Sequence, residues 1–107
     1  MATVEDFEKL QFKIGTVISA EKVHNSDKLI KLEVDFGSEK RIILTGLAEY
    51  LSPDHFVGKQ LPFVYNFEPK KLRGIESQGM LIATDDEDGR PVLLMPEKNI
   101  PNGSKLH

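Results

Sequence analysis

Between Lys59 and Gly74 the chain carries Lys59, Lys70, Lys71 and Arg73 against one acid, Glu68. That is a local excess of positive charge in a protein whose formal net charge is −3. Cations grouped in this way suit phosphate oxygens, and the nearby Asn66 and Gln78 can add directional hydrogen bonds. A second charged run has the opposite sign, with Asp85, Asp86, Glu87 and Asp88 offset only by Arg90. Placing Gly89 sixth in a calcium loop puts Thr84 first and Met95 last, where Asp and Glu are needed. The run therefore reads as an acidic, solvated hairpin tip. Ser77 does not sit in a nucleophile elbow, because Ile75 stands where that motif needs glycine. Its hydroxyl is expected to bond backbone or phosphate. His24, His55 and His107 are widely spaced and the chain has no cysteine, so neither zinc nor thiolate chemistry is expected. No P-loop or Rossmann glycine pattern occurs. These residues point to binding without a catalytic group, a metal or a cofactor. Charge alone also fits a basic loop that is merely solvated, and the residues leave both readings open.

The elements that must position these groups are short and mostly extended. Thr3 can cap a brief helix that presents Val4, Phe7 and Leu10 on one face, with Glu5, Asp6 and Glu8 at its positive end. The period then becomes two. Phe12, Ile14, Thr16, Ile18 and Ala20 alternate with Lys13, Gly15, Val17, Ser19 and Glu21, as in a half-buried strand that turns the first set inward. Ile30, Leu32, Val34 and Phe36 make a cleaner second strand. Asn25-Ser26-Asp27 before it and Gly37-Ser38 after it are turn residues. Arg41 to Thr45 is a third strand, and Gly46 ends it. Leu47 to Leu51 and Asp54 to Val57 each read as a turn or two of helix, the second capped by Ser52 with Pro53 following. Leu61, Phe63 and Tyr65 mark a fourth strand, where Pro62 predicts an edge or strand-start position. The stretch from Asn66 to Gly74 reads as loop, and Met80 to Thr84 as a fifth strand. Asp88-Gly89 then turns the chain into Val92 to Met95, and Pro96 to His107 is expected to be extended. Met80 opens a strand, which by itself favours a place in the core.

Five strands with a helical interruption after the third fit an all-β fold, the five-stranded OB-fold barrel, with N- and C-terminal extensions. A sandwich of the same length is the structural competitor. At 107 residues with 39% hydrophobic composition, one domain spanning residues 1–107 around one core is expected. Neither a basic-then-apolar leader nor a membrane-length apolar run is present, so a cytoplasmic protein is expected, with no membrane partner.

Four motifs support a family resemblance. They are Asp6-Phe7-x-Lys9-Leu10 before the strand containing Gly15, Ser26-Asp27-Lys28-Leu29, and Thr45-Gly46-Leu47-Ala48. The longest is Asn66-x-x-Pro69-Lys70-Lys71-Leu72-Arg73-Gly74-Ile75-x-Ser77-Gln78-Gly79-Met80. Together they resemble the tRNA-binding domain at the C-terminus of many methionyl-tRNA synthetases. That domain also occurs as a free-standing tRNA-binding protein and in the endothelial-monocyte-activating polypeptide group. The resemblance implies an OB-fold that binds structured tRNA with little regard to sequence, assists an aminoacyl-tRNA synthetase, and pairs as a homodimer through its C-terminal extension. It implies tRNA contact at Asn66, Lys70, Lys71, Arg73, Ser77, Gln78 and Met80, with Lys28, Lys31 and Arg41 as outlying additions. Glu68 departs from the family, where many members carry a neutral or basic residue, and this bears on affinity. Two alternatives share the scaffold: a chaperone-like protein-interaction module and a domain that assembles synthetases.

Overall fold

The structure is a computed structural model covering Met1 to His107. Helix α1 (Val4–Glu8) begins with a reciprocal capping box. The Thr3 hydroxyl accepts from the Asp6 N–H, and the Asp6 carboxylate accepts from the Thr3 N–H. The helix buries no residue, but Phe7 stacks on Phe12 with ring centroids 5.2 Å apart. The strands are β1 (Phe12–Lys22), β2 (Ile30–Asp35), β3 (Lys40–Thr45), β4 (Gln60–Val64), β5 (Lys70–Leu72), β6 (Ile75–Ser77), β7 (Met80–Leu81), β8 (Ala83–Asp85) and β9 (Pro91–Leu93). An antiparallel sheet runs β3-β2-β1-β4-β7 and curls until β3 meets β6 and β7. The result is an all-β, OB-like half-barrel. Two hairpins, β5–β6 and β8–β9, stand beside it.

The alternation in β2 is realised as expected. Ile30, Leu32 and Val34 are fully buried and Phe36 nearly so. Each such burial is worth roughly 1.5–3 kcal/mol. Val17, Ile43, Phe56, Leu61, Phe63, Tyr65 and Leu81 complete this core.

In β1 the expected inward set is corrected. Val17 is fully buried in the core and Ile18 is exposed. Gly15 shares the face of Val17, and a Cβ there would meet Val34 Cγ1 at 2.5 Å, so glycine lets β2 pack across the strand. Ile14 is buried on the opposite face, beneath the C-terminal extension. Both faces of β1 are therefore covered near its start, and the apolar alternation could not say which one met the core. A register shift between Val17 and Ser19 then brings Ala20 against the core.

Other expectations are also adjusted. Leu47 to Leu51 is one turn, with the Tyr50 and Leu51 N–H groups both donating to the Leu47 carbonyl. Pro53–His55 is a single 3-10 turn, and the Ser52 side chain makes no cap bond. Strand β4 lies inside the sheet, so Pro62 is not on an edge. It is tolerated because its carbonyl accepts from Ile82 N, beyond the two-residue β7, where no ladder partner needs its missing N–H. The expected fifth strand is broken at Ile82 into β7 and β8.

The extended tail pairs with the molecule's own β1. Ile14 N donates to Ser104 O, Gly103 N to Ile14 O and Leu106 N to Phe12 O, at 2.7–2.9 Å. It occupies the flank of β1 that β2 does not reach, since the β1–β2 ladder begins at Thr16. Asn102 locks it further, its side-chain oxygen accepting from Thr16 Oγ1 at 2.7 Å and from Gln60 Nε2 at 3.0 Å. No helix is long and apolar enough to cross a membrane.

Candidate nucleic-acid interface

The stretch read as a loop from Asn66 to Gly74 ends in a hairpin. Lys70 pairs with Ser77, Lys71 with Glu76 and Leu72 with Ile75. The two-residue connection is Arg73 (φ 52°) and Gly74 (φ 80°). Positive φ at both positions defines a type I′ turn, whose twist matches that of the strands it joins. Arg73 is thus a long cationic side chain at a backbone position that Asn or Gly fills with less strain. Proline and a basic run hid this hairpin from the sequence, because only three residues on each side pair.

The tip of this hairpin overhangs the connection between β1 and β2. Arg73 and Leu72 face Ser26, Asp27, Lys28 and Leu29 across one cleft. On its other side Arg73, with Ile75, shares a second cleft with Lys22, His24 and Lys31. Two segments far apart in sequence thereby pool Lys22, Lys28, Lys31 and Arg73. Lys31 is partly neutralised by Glu21 at 2.9 Å, whereas Lys28, Lys70, Lys71 and Arg73 form no ion pair. Lys71 and Glu76 share one face of the hairpin, while Lys70, Leu72 and Ser77 turn toward a hollow with Met80. Lys22 was not singled out in the sequence; its one signal was its place at a strand end beside a turn.

The uncharged members of the motif, together with Arg41, are bound into the barrel. Ser77 is buried, with its hydroxyl accepting from Leu44 N and donating to Gly79 O, both at 3.0 Å. Gln78 closes the sheet against β3. Its backbone N–H donates to Ile42 O at 2.9 Å, and its side-chain oxygen accepts from Ile42 N at 3.0 Å. Gly79 allows this approach, since a Cβ there would lie 2.8 Å from Val64 O. Asn66 accepts from Gln11 N at 2.7 Å and donates to Lys9 O at 2.8 Å, holding the segment after α1.

Arg41 donates to the Tyr65 and Gln78 carbonyls at 2.6 and 3.1 Å, and its guanidinium stands 3.5 Å from the Tyr65 ring centroid. Its bond to Glu39 holds that carboxyl below the usual range, while burial pushes the Tyr65 phenol up. Met80, expected in the core from its strand position, is 44% exposed. It opens a two-residue strand whose other residue, Leu81, is the buried one.

The chemistry of this surface is cation display on a rigid frame. No cluster of His, Asp and Glu able to hold a metal ion occurs.

A family model described as "Putative tRNA binding domain" matches residues 12–105, and the chain belongs to that family. It is 48% identical over 104 residues to the methionine–tRNA ligase of Caldanaerobacter subterraneus subsp. tengcongensis, covering 97% of this chain and 16% of the ligase. The chain thus spans about a sixth of the length of such relatives. Among solved structures, a MetRS-related protein from Pyrococcus horikoshii superposes with a TM-score of 0.95 and 45% identity, covering 100% of this chain and 98% of that one. The chaperone CsaA of Bacillus anthracis str. Ames superposes with a TM-score of 0.88 and 35% identity, covering 100% and 99%.

Proposed function

From its place in the tRNA-binding domain family, we propose that this chain acts as one non-catalytic domain that binds structured tRNA. The observation that carries the reading is the convergence of Arg73 with Lys28 across one cleft, with Lys70 and Lys71 on the same hairpin and all four free of ion pairs. These cations meet phosphates and supply most of the affinity. Lys22 and Lys31 extend the track along the second cleft. Asn66, Arg41, Ser77 and Gln78 act by fixing the hairpin and the barrel seam, and the exposed Met80 meets the RNA. Barrel shape then favours a structured RNA corner over plain duplex.

The domain raises the local tRNA concentration for an aminoacyl-tRNA synthetase, methionyl first, in cis or in trans in the cytoplasm. A homodimer accompanies this role. Ile14, Pro62, Leu94, Met95, Ile100 and Leu106 line an apolar groove left beside the docked tail, and Met95 is 59% exposed. A monomer by sedimentation at tens of micromolar would remove the dimer.

The deciding experiment is filter binding of bulk tRNA across a salt series. Three or four phosphate contacts give a slope of log K against log salt of roughly −2 to −4, from ~0.7–0.9 per phosphate. A flat response removes the phosphate mechanism, and no binding at low salt removes the function. The likeness to the CsaA chaperone supports a second reading, peptide binding on the same scaffold. Peptide capture without tRNA binding would select it, and ribonuclease-resistant co-purification with a synthetase would select an assembly role.

A further inference from the structure

On the inner side of the basic hairpin is a hollow of about 320 Å³, near the lower end of the roughly 300–1,000 Å³ typical of ligand pockets. Phe67, Met80, Leu72 and Leu44 give it apolar walls, while Lys70 and Glu68 add one charge of each sign. Phe67 is 41% exposed and Met80 44%, and the Phe67 ring pairs with no other aromatic ring. Lys70 and Glu68 do not pair with each other. An unpaired aromatic face with a free ammonium beside it matches the two faces of a nucleotide, a flat base and an anionic phosphate. A free carboxylate there would repel phosphate, but it accepts N–H donors in pairs.

We propose that this hollow receives one unpaired RNA base, which stacks on Phe67, and that Glu68 makes guanine the preferred base. Guanine alone among the four bases offers adjacent N1–H and N2–H donors on its Watson–Crick edge, the partner a two-oxygen acceptor fits. Lys70 takes the adjoining phosphate. Glu68, an oddity within a basic phosphate track, becomes the group that reads the base. The inference rests on the tRNA-binding reading and deepens it, giving the site a base preference within otherwise sequence-tolerant binding.

The test uses the full chain and two single-stranded RNA dodecamers, all-uridine and the same strand with one central guanosine, with bulk tRNA alongside. The guanosine strand should bind several-fold tighter. Phe67→Ala should weaken binding of the guanosine strand by roughly tenfold, within the range found for removing one stacking platform. Glu68→Gln should erase the preference while leaving the all-uridine affinity unchanged or higher. Phe67→Leu keeps apolar volume without the ring; it should behave like the alanine variant, so a folding defect in the latter does not decide the matter. Equal binding of both strands by the unmodified chain overturns the proposal, as does a preference that survives Glu68→Gln or an affinity for the guanosine strand that Phe67→Leu leaves unchanged. Competition by an apolar peptide in place of RNA overturns it also, and assigns the hollow to protein. If tRNA binding stays salt-dependent through any of these failures, the broader reading stands and only the base pocket falls. If tRNA fails to bind at all, both fall together.

Discussion

The two hairpins beside the barrel carry opposite charge and use it differently. At the β8–β9 tip one acid, Asp86, builds the turn, while the side chains of Asp85, Glu87 and Asp88 make no bond. The Asp86 carboxylate accepts from Asp88 N and Arg90 N at 2.9 and 3.0 Å, while its backbone N–H donates to Arg90 O at 2.8 Å. At the β5–β6 tip the backbone alone makes the turn, through positive φ at Arg73 and Gly74, and no side chain is required. Its cations are left without partners. A side chain that closes its own turn has little left for a ligand, whereas a turn made by φ and ψ leaves its side chains available. Both tips display unpaired charge, and they differ in its sign and in whether a side chain or the backbone makes the turn.

Reversing the free charges should produce the largest effect. Lys70→Glu with Arg73→Glu should lower tRNA affinity on the order of a hundredfold at low salt, by removing two phosphate contacts and adding repulsion. Thermal melting should barely move, since exposed substitutions usually change stability within about ±0.5 kcal/mol. If affinity is retained by a folded double variant, the basic hairpin is not the binding surface.

The anchor of that hairpin comes next. Ser77→Ala leaves the buried Leu44 N–H without its acceptor and should cost about 1–3 kcal/mol, read as a lower urea midpoint. A stability unchanged by this variant would mean water or a neighbour replaces the hydroxyl, and the hairpin is not held through it.

Asp86→Ala tests the other tip. It should cost about 1 kcal/mol by loosening the turn, and leave the salt slope of tRNA binding unaltered. A changed slope would place the acidic hairpin against the RNA and end the contrast between the two.

Glu68→Lys is the mildest change and sharpens the contrast most. It should steepen the salt slope of tRNA binding by roughly 0.7–0.9, one added phosphate contact, while abolishing the preference for the guanosine strand. An unaltered slope puts Glu68 out of reach of the backbone.

Local patterning alone was enough for β2, because only one of its sides is fully buried. It also found the Leu61–Phe63–Tyr65 face, although Pro62 and Val64 on the other side of β4 are buried too. The capping box at Thr3 and Asp6 was half visible, since Thr3 stood in the N-cap position. The basic run was legible in the sequence, but the bonds its polar neighbours make were not. Asn66, Arg41, Ser77 and Gln78 look like ligand contacts in a polar motif, yet their partners are Gln11, Lys9, Tyr65, Glu39, Leu44 and Ile42, most of them 24 to 57 positions away. No short-range signal announces such a partner.

By itself the sequence determined the first four strands along the chain, the all-β class, the sign and position of each charged run, and the lack of cysteine chemistry. These depend on residue type and on a period of two, both local properties. Tertiary structure decided the rest. The tail covers one face of β1, which reversed the expected orientation of Ile14, Val17 and Ile18. The curl of the sheet brings Gln78 onto β3, and the hairpin turn swings Arg73 over Lys28. The physical reason is the same in each case: a side chain's role is set by what lies across from it, and that neighbour is chosen when the barrel closes.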